Sequence, residues 1–299
     1  MTTWMQQRSL PPIKVGKPYP LFNAIQIETG SMCNRACDFC PVSSGKRKGK
    51  QKFMPLWLFT NIITQLQELL FNGRVALFML DEPLLNPTIA SQAAIVREHL
   101  PRSTIYLSTN GDVLESLGVG AASRLLTALE QSGVNSMNWN VYDVGDKGRQ
   151  RRAFYESLIR EFRPVVHNRK YGRVPTGKMH VCITDMSKER VDFISTDEIF
   201  PRKNSARIPT TIPDNQCPQP MRKAVVDYRG MMQLCCACDN LDPHNALADL
   251  KKENLLDAWS GEKFGYHRYQ IQEHGRRHPP CNTCEFKTSY PGVFRRVKP

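Results

Sequence analysis

The sequence predicts an α/β barrel followed by a small C-terminal α+β module, and three observations carry that expectation. Extended and helical segments alternate from residue 23 to about residue 200, the pattern of a parallel sheet with crossover helices. Four of the extended segments have one apolar and one polar face. An open, doubly wound sheet covered on both sides would read apolar on both, whereas a barrel with helices outside and a polar pocket inside needs this division. Finally, a proline-punctuated break at Pro201–Pro213 precedes a second group of cysteines, and 299 residues suffice for one large unit plus a small one.

The elements follow in order. Residues 1–22 carry four prolines, Pro11, Pro12, Pro18 and Pro20, and read as an extended lead-in. Asn23–Thr29 alternates, with Ile25 and Ile27 opposed to Gln26 and Glu28. Ser43–Lys52 is polar and basic. After Pro55, the residues Phe59, Ile62, Ile63, Leu66, Leu69 and Leu70 follow the 3.6-residue period of a helix. Arg74–Leu80 is the second strand and Pro87–Leu100 the second helix. Ser103–Asn110 is the third strand, with Ile105 and Leu107 opposed to Tyr106 and Ser108, and Asn110-Gly111 closes it as a turn. Ala122, Leu125, Leu126 and Leu129 mark the third helix. Ser136–Asp143 is the fourth strand, with Trp139 and Val141 opposed to Asn138, Asn140 and Tyr142. Phe154, Leu158, Ile159 and Phe162 mark the fourth helix. Lys178–Thr184 is the fifth strand, with Val181 and Ile183 opposed to His180, Cys182 and Thr184, and a sixth is expected within Val191–Phe200.

The chemistry centres on Cys33-Asn34-Arg35-Ala36-Cys37-Asp38-Phe39-Cys40, three thiols spaced C-x3-C-x2-C at the end of the first strand. Three thiolates fold round one iron–sulfur cluster but leave one of four irons without a protein ligand, and an open metal position is where a substrate or cofactor binds. A zinc site, or three unrelated buried cysteines, is the alternative, although zinc sites close four ligands from C-x2-4-C pairs and no fourth Cys or His lies near. The motif resembles the signature of the radical S-adenosylmethionine (radical SAM) enzymes, with Phe39 at the aromatic position before the last Cys. The resemblance implies a partial (β/α)6, TIM-like barrel and a [4Fe–4S] cluster on Cys33, Cys37 and Cys40. Its open iron would chelate the amino and carboxylate groups of S-adenosyl-L-methionine and reduce it to a 5′-deoxyadenosyl radical. It also implies cofactor contacts. Leu80-Asp81-Glu82-Pro83 is similar to the family's Gly-Gly-Glu-Pro segment, with Asp81 where Gly is usual, and points to Glu82 and Pro83. Ser108 and Asn110 at the third strand end, Asn140 and Tyr142 at the fourth, and Arg152 in the fourth helix complete the expected cofactor set.

Beyond the break, Cys217, Gly230 and Cys235 are spaced C-x12-G-x4-C, and Cys281-Asn282-Thr283-Cys284 adds a C-x2-C pair. Ala224–Asp227 and Met231–Cys235 read as the arms of a hairpin turning at Tyr228-Arg229-Gly230, and Asn254–Trp259 opens a helix. Four thiolates, Cys217, Cys235, Cys281 and Cys284, could close round one cluster or one zinc; Cys236 or Cys238 could take the place of Cys235. The pattern is similar to the twitch module, the shortened SPASM extension of radical SAM enzymes, and so implies one auxiliary [4Fe–4S] cluster. The expected units are therefore the lead-in 1–22, the barrel 23–200, a linker 201–216 and the cluster module 217–299.

Totals narrow the function. The chain is 40% hydrophobic and 23% charged, as in ordinary soluble proteins. No apolar run approaches membrane-spanning length and Met1–Lys17 lacks the apolar core of a secretory signal, so the expected compartment is the cytoplasm, with reduced thiols and no membrane partner. A net charge of +13, from 41 Lys+Arg against 28 Asp+Glu, favours anionic partners. The leading expectation is an oxidoreductase acting on an anionic or polar small molecule and served by an electron donor such as flavodoxin or ferredoxin. Its auxiliary cluster would take the electron that a substrate radical must lose. Radical modification of a ribosomally made peptide or of RNA is the alternative within the family. A zinc-bearing nucleic-acid-binding protein is the alternative outside it, explaining the charge but neither C-x3-C-x2-C nor the strand–helix alternation; nucleic acid is a possible partner and not the favoured one.

Overall fold

A computed structural model describes residues 19–37, 40, 50–166, 178–185, 217, 219–236 and 246–283. Its frame is one sheet whose described strands run in the order β5-β6-β4-β3-β2-β1-β7-β8-β9. The parallel part contains β1 (Ala24–Ile27), β2 (Arg74–Ala76), β3 (Thr104–Thr109), β4 (Ser136–Val141), β5 (Val165–Val166) and β6 (His180–Asp185). Four helices cover its outer face: α1 (Leu56–Glu68), α2 (Ile89–His99), α3 (Asp112–Gln131) and α4 (Gly145–Phe162). Among the described strands the sheet does not close, which is the partial barrel.

The two-faced strands explain why helices lie on one side only. Ile25, Ile27, Val75, Ile105, Leu107, Trp139, Val141 and Val181 are wholly buried, in one core with Leu58, Phe59, Ile62, Ile63 and Leu66 of α1, Val96 of α2, Leu126 and Leu129 of α3 and Leu158 of α4. At about 25 cal/mol per Å2 of apolar surface, this layer supplies the main drive for the curl. The opposite face carries Gln26, Glu28, Ser108, Asn138, Asn140, His180 and Thr184. Strand register lines these groups up: Ser108 sits opposite Asn138, Asn138 opposite Cys182, and Asn140 opposite Thr184.

The chain then returns to the other edge. Helix α5 (Gln219–Arg222) leads into β7 (Lys223–Val226), which pairs parallel with β1 in the register Ala24↔Lys223 to Ile27↔Val226. The expected hairpin is present: β8 (Met231–Gln233) runs antiparallel to β7, and β9 (Ala246–Asp249) antiparallel to β8. Its turn is built on Asp227, whose buried carboxylate accepts from Arg229 N (2.8 Å), Met231 N (3.1 Å) and Gln233 Nε2 (3.0 Å). Gly230 is required there, since its φ is +83° and a Cβ would stand 2.7 Å from Leu58 Cδ2. Helices α6 (Leu255–Ser260) and α7 (Glu262–His274) close the module. They are locked by the buried Arg268 guanidinium, 3.8 Å from the Trp259 ring centroid and 4.0 Å from that of Tyr19.

Three differences from the sequence reading stand out. An edge strand, β5, precedes the strand expected as fifth, so that strand is β6. The second strand is short, because Leu77–Leu80 leave the ladder to form the loop that reaches the cysteine motif. In α4, the fully buried stripe is Gly148, Arg151, Tyr155 and Leu158, whereas Phe154, Ile159 and Phe162 are half-buried. The strand expected within 191–200, the break at 201–213, the lead-in 1–18, Cys238 and Cys284 lie outside the described residues.

Candidate active site

The site forms where the parallel strands end. Cys33, Cys37 and Cys40 belong to one small buried group completed by Met79, Leu80, Val225 and Cys236, apart from the main core. Cys40 N donates to Cys37 O (2.9 Å), a tight turn that brings the last two thiols together. Among the described residues no three metal-ligating side chains sit close enough to hold one ion. Three thiolates, apolar walls and no fourth cysteine in the motif suit a multi-iron cluster with one open position.

Carboxylates brace the loop from below. Glu28 accepts from Leu80 N (3.1 Å), and Asp81 from Thr29 Oγ1 (3.0 Å), Gly30 N (2.8 Å) and Met79 N (3.0 Å). Asp81 thus ties the ends of β1 and β2 together. Among the described non-glycine residues only Leu70 and Arg163 have positive φ, so Asp81 needs none of the freedom of the glycine usual at this place. Glu82 N donates to Met32 O (3.0 Å), next to Cys33. The Glu82 carboxylate is fully enclosed and accepts from Leu84 N (3.1 Å), Thr109 Oγ1 (2.7 Å) and Asn110 N (2.7 Å). Burial pushes its pKa up to about 7 against those three donors, with the Asp81 charge adding to the rise. Pro83 starts the short 3-10 turn Pro83–Leu85 behind it.

From the side the loop is held by charge. Arg35, between Cys33 and Cys37, donates from Nε and Nη2 to Asp112 (2.7 and 2.6 Å) and from Nη2 to Asp143 (2.6 Å). Its guanidinium lies over the Tyr142 ring, 5.6 Å from the centroid. Burial opposes the Arg35 charge, yet the bonds to Asp112 and Asp143 outweigh it and hold the group protonated; the same bond holds Asp143 below the usual carboxylate range. Asp112 is the first residue of α3, where a negative charge meets the helix N-terminus. The preceding Gly111 has φ +80°, and a Cβ there would stand 1.8 Å from Tyr155 Oη. Asn110 Nδ2 donates to Asn34 Oδ1 (2.7 Å) and lies 3.5 Å from Cys33 Sγ. Burial pushes the Cys33 thiol up to about 12, so this sulfur favours a proton until a metal competes for it.

The inner face supplies a polar ladder. Thr184 Oγ1 donates to Asn138 Oδ1 (2.7 Å), Asn138 Nδ2 to Asn140 Oδ1 (2.8 Å), and Asn140 Nδ2 to Ser108 Oγ (3.0 Å) and Thr109 O (2.9 Å). Ser108, Asn110 and Asn140 therefore meet in one network with the cysteine loop beside it, and Tyr142 joins through Arg35. Arg152 does not enter these described bonds; it is half-buried on α4. Its neighbour Arg151 is 3% exposed, donates from Nη2 to Asp112, and pairs with Glu115 Oε2 at 2.9 Å, while its Nε and Nη1 have no hydrogen-bond partner. Sequence reasoning missed Arg35, Asp112, Asp143 and Arg151; an Arg inside the C-x3-C spacing and an Asp after Asn-Gly at a helix start were the available signals.

The second cysteine set lies elsewhere. Cys217 is buried in the main core, against which Cys235 and Cys281 pack, and Cys281 N donates to His278 O (2.9 Å). Cys236 belongs instead to the first group.

Comparison with known proteins agrees with this division. The profile of the Radical SAM superfamily matches residues 27–176, and that of an iron–sulfur cluster-binding domain, SPASM, matches residues 217–285. The S-adenosyl-L-methionine-dependent 2-deoxy-scyllo-inosamine dehydrogenase of Niallia circulans is 24% identical over 270 residues, covering 88% of this chain and 93% of its own. Crystal structures of BtrN have the same fold: in complex with AdoMet and 2-DOIA, a TM-score of 0.62 at 23% identity over 86% of this chain and 90% of the other; in an open conformation, 0.60 at 21% over 89% and 92%. No helix among the described residues is long and apolar enough to cross a membrane. With the superfamily profile spanning half of the chain and the thiols gathered at the strand ends, the protein is a radical SAM enzyme, using S-adenosyl-L-methionine and [4Fe–4S] chemistry on a barrel that carries an iron–sulfur cluster-binding module.

Proposed function

We propose that this enzyme oxidises a carbinol carbon of an aminocyclitol or closely related polyhydroxylated amine. The observation that carries the reading is the ladder Thr184–Asn138–Asn140–Ser108 on the inner barrel face, beside the first cysteine group. Amide and hydroxyl groups on a rigid sheet match a ring of hydroxyl and amino substituents, because each can donate or accept. The name of the Niallia circulans dehydrogenase supports the same substrate class.

In this reading Cys33, Cys37 and Cys40 hold the first [4Fe–4S] cluster, which when bound supplies the electron that opens S-adenosyl-L-methionine. Glu82 and Pro83 shape the wall against the cofactor, and Ser108, Asn110, Asn140 and Tyr142 line its further course, so that Asn138 and Thr184 of the ladder are left to the substrate while Ser108 and Asn140 stand where the two meet. Arg151 takes the part expected of Arg152, since it brings a buried positive charge whose Nε and Nη1 nitrogens are still to be satisfied toward an anionic group. Cys217, Cys235, Cys281 and Cys284 would hold the auxiliary cluster, which would supply an acceptor for the remaining electron. The units are a lead-in 1–22, the barrel 23–200, a linker 201–216 and the cluster module 217–299. The net charge of +13 suits an acidic one-electron donor of the flavodoxin or ferredoxin kind in the cytoplasm. The test is turnover of 2-deoxy-scyllo-inosamine and related aminocyclitols by anaerobically reconstituted enzyme. A keto product with one 5′-deoxyadenosine per turnover supports the reading; cofactor cleavage without oxidation of any cyclitol, but with modification of a peptide or RNA, would replace it.

A further inference from the structure

The hairpin of the cluster module carries two adjacent cysteines, and packing sends them to different places. Cys235 packs on the main core together with Cys217 and Cys281. Cys236, 1% exposed, is enclosed in the small group formed by Cys40, Met79, Leu80 and Val225, against which Cys33 and Cys37 also pack. Four cysteine side chains, from segments about 200 residues apart in sequence, thus share one apolar pocket. Met79 and Leu80 run directly into Asp81-Glu82-Pro83, the wall of the cofactor site. Val225, on β7 beside β1, brings the module's hairpin to the same place.

We propose that Cys236 is an exchangeable fourth thiolate for the first cluster, ligating the open iron when S-adenosyl-L-methionine is absent and giving it up when the cofactor arrives. The inference rests on the two-cluster radical SAM reading. Thiolate is a soft ligand suited to iron–sulfur centres, and the apolar wall disfavours water as the resting ligand. No electron changes hands in the exchange. The bond from Cys236 Sγ to iron breaks, the cofactor's ammonium gives up one proton so that its nitrogen, with a carboxylate oxygen, bonds to that iron, and the released thiolate takes up one proton, so the exchange is also proton-neutral. Through Cys235 and Cys236 one short segment after β8 then reaches both clusters, so cofactor binding at the first is felt directly at the residue beside a ligand of the second.

The test reads the cluster itself rather than turnover. An iron without a protein ligand is the one lost on mild oxidation, leaving a [3Fe–4S] cluster with its own paramagnetic signal. Reconstituted parent enzyme and Cys236→Ser and Cys236→Ala variants would be treated with ferricyanide without cofactor and examined by electron paramagnetic resonance. The expected result is a [3Fe–4S] signal severalfold larger in both variants, erased by prior addition of S-adenosyl-L-methionine, together with severalfold tighter cofactor binding by the variants. Equal signals and equal affinities would overturn the proposal. Should neither variant hold its clusters, Mössbauer spectra of the parent decide alone: an all-sulfur environment at every iron that gains nitrogen and oxygen ligands only with cofactor supports it, and an oxygen-ligated iron before cofactor is added overturns it. A parent enzyme that takes up zinc instead of two clusters would refute the functional reading, a result distinct from either of these.

Discussion

The two cysteine sets are fastened in opposite ways. Cys33, Cys37 and Cys40 sit in a small satellite group and are held by charge and hydrogen bonds: Arg35 to Asp112 and Asp143, Asn110 to Cys33, Glu82 and Asp81 beneath. Cys217, Cys235 and Cys281 are part of, or packed on, the main hydrophobic core. A loop tied by polar bonds can be retuned without unfolding the barrel, whereas a site built into the core is inseparable from the fold. This is the division expected if one centre must open to exchange a cofactor and the other only passes an electron and braces the module.

The largest effect should come from Cys40→Ala. Loss of one of three thiolates should abolish 5′-deoxyadenosine formation, assayed chromatographically under strong reductant, while iron analysis still finds the auxiliary cluster. Retained cofactor cleavage would erase the distinction between the sets. Arg35→Met should come next. It removes bonds between charged groups worth roughly 1.5–3 kcal/mol each, so cofactor affinity should fall about tenfold or more with the auxiliary cluster intact; unchanged binding would show that the clasp does not position the loop.

Glu82 gives a pH signature. Its buried carboxyl has a pKa of about 7 against an ordinary 4.5, so the folded state holds the proton more tightly than the unfolded one. The resulting stability is fully present below pH 4.5 and lost as pH rises through 7, on the order of 3 kcal/mol for such a shift. Denaturant titrations should therefore show a steeper fall from pH 5 to 7 in the parent than in Glu82→Gln; parallel curves would contradict the burial argument. The smallest effect is expected at Arg151→Ala, which should lower both stability and cofactor affinity because it strips Asp112 and Glu115 of a buried partner; a variant as stable and as avid as the parent would contradict the role given to that charge.

What the sequence made legible was local or periodic. Alternation of Ile105, Leu107, Trp139 and Val141 with polar neighbours told which face would meet helices, and the same alternation placed Ser108, Asn110 and Asn140 inside. Gly230 was visible in the cysteine spacing, and its positive φ and contact with Leu58 give the physical reason. The missing parts are pairings across long stretches of chain. Arg35 finds Asp112 and Asp143 from 77 and 108 residues away, and β7 finds β1 across some 200, with no local pattern to announce either. Arg152 was one choice among several arginines of the fourth helix region, made on the resemblance alone; one residue moves a helical side chain by about 100°, and no local pattern told that the fold would bury Arg151.

The central claim is that the first set makes the radical and the second completes the oxidation. Replacing Cys217 and Cys281 together by Ala, in protein shown to stay folded and to keep its first cluster, tests it most directly. With substrate deuterated at the reacting carbinol carbon, the account predicts that deuterium still passes into 5′-deoxyadenosine while no ketone accumulates. Ketone formed at the parent rate would contradict it, leaving the second cluster no part in the redox step.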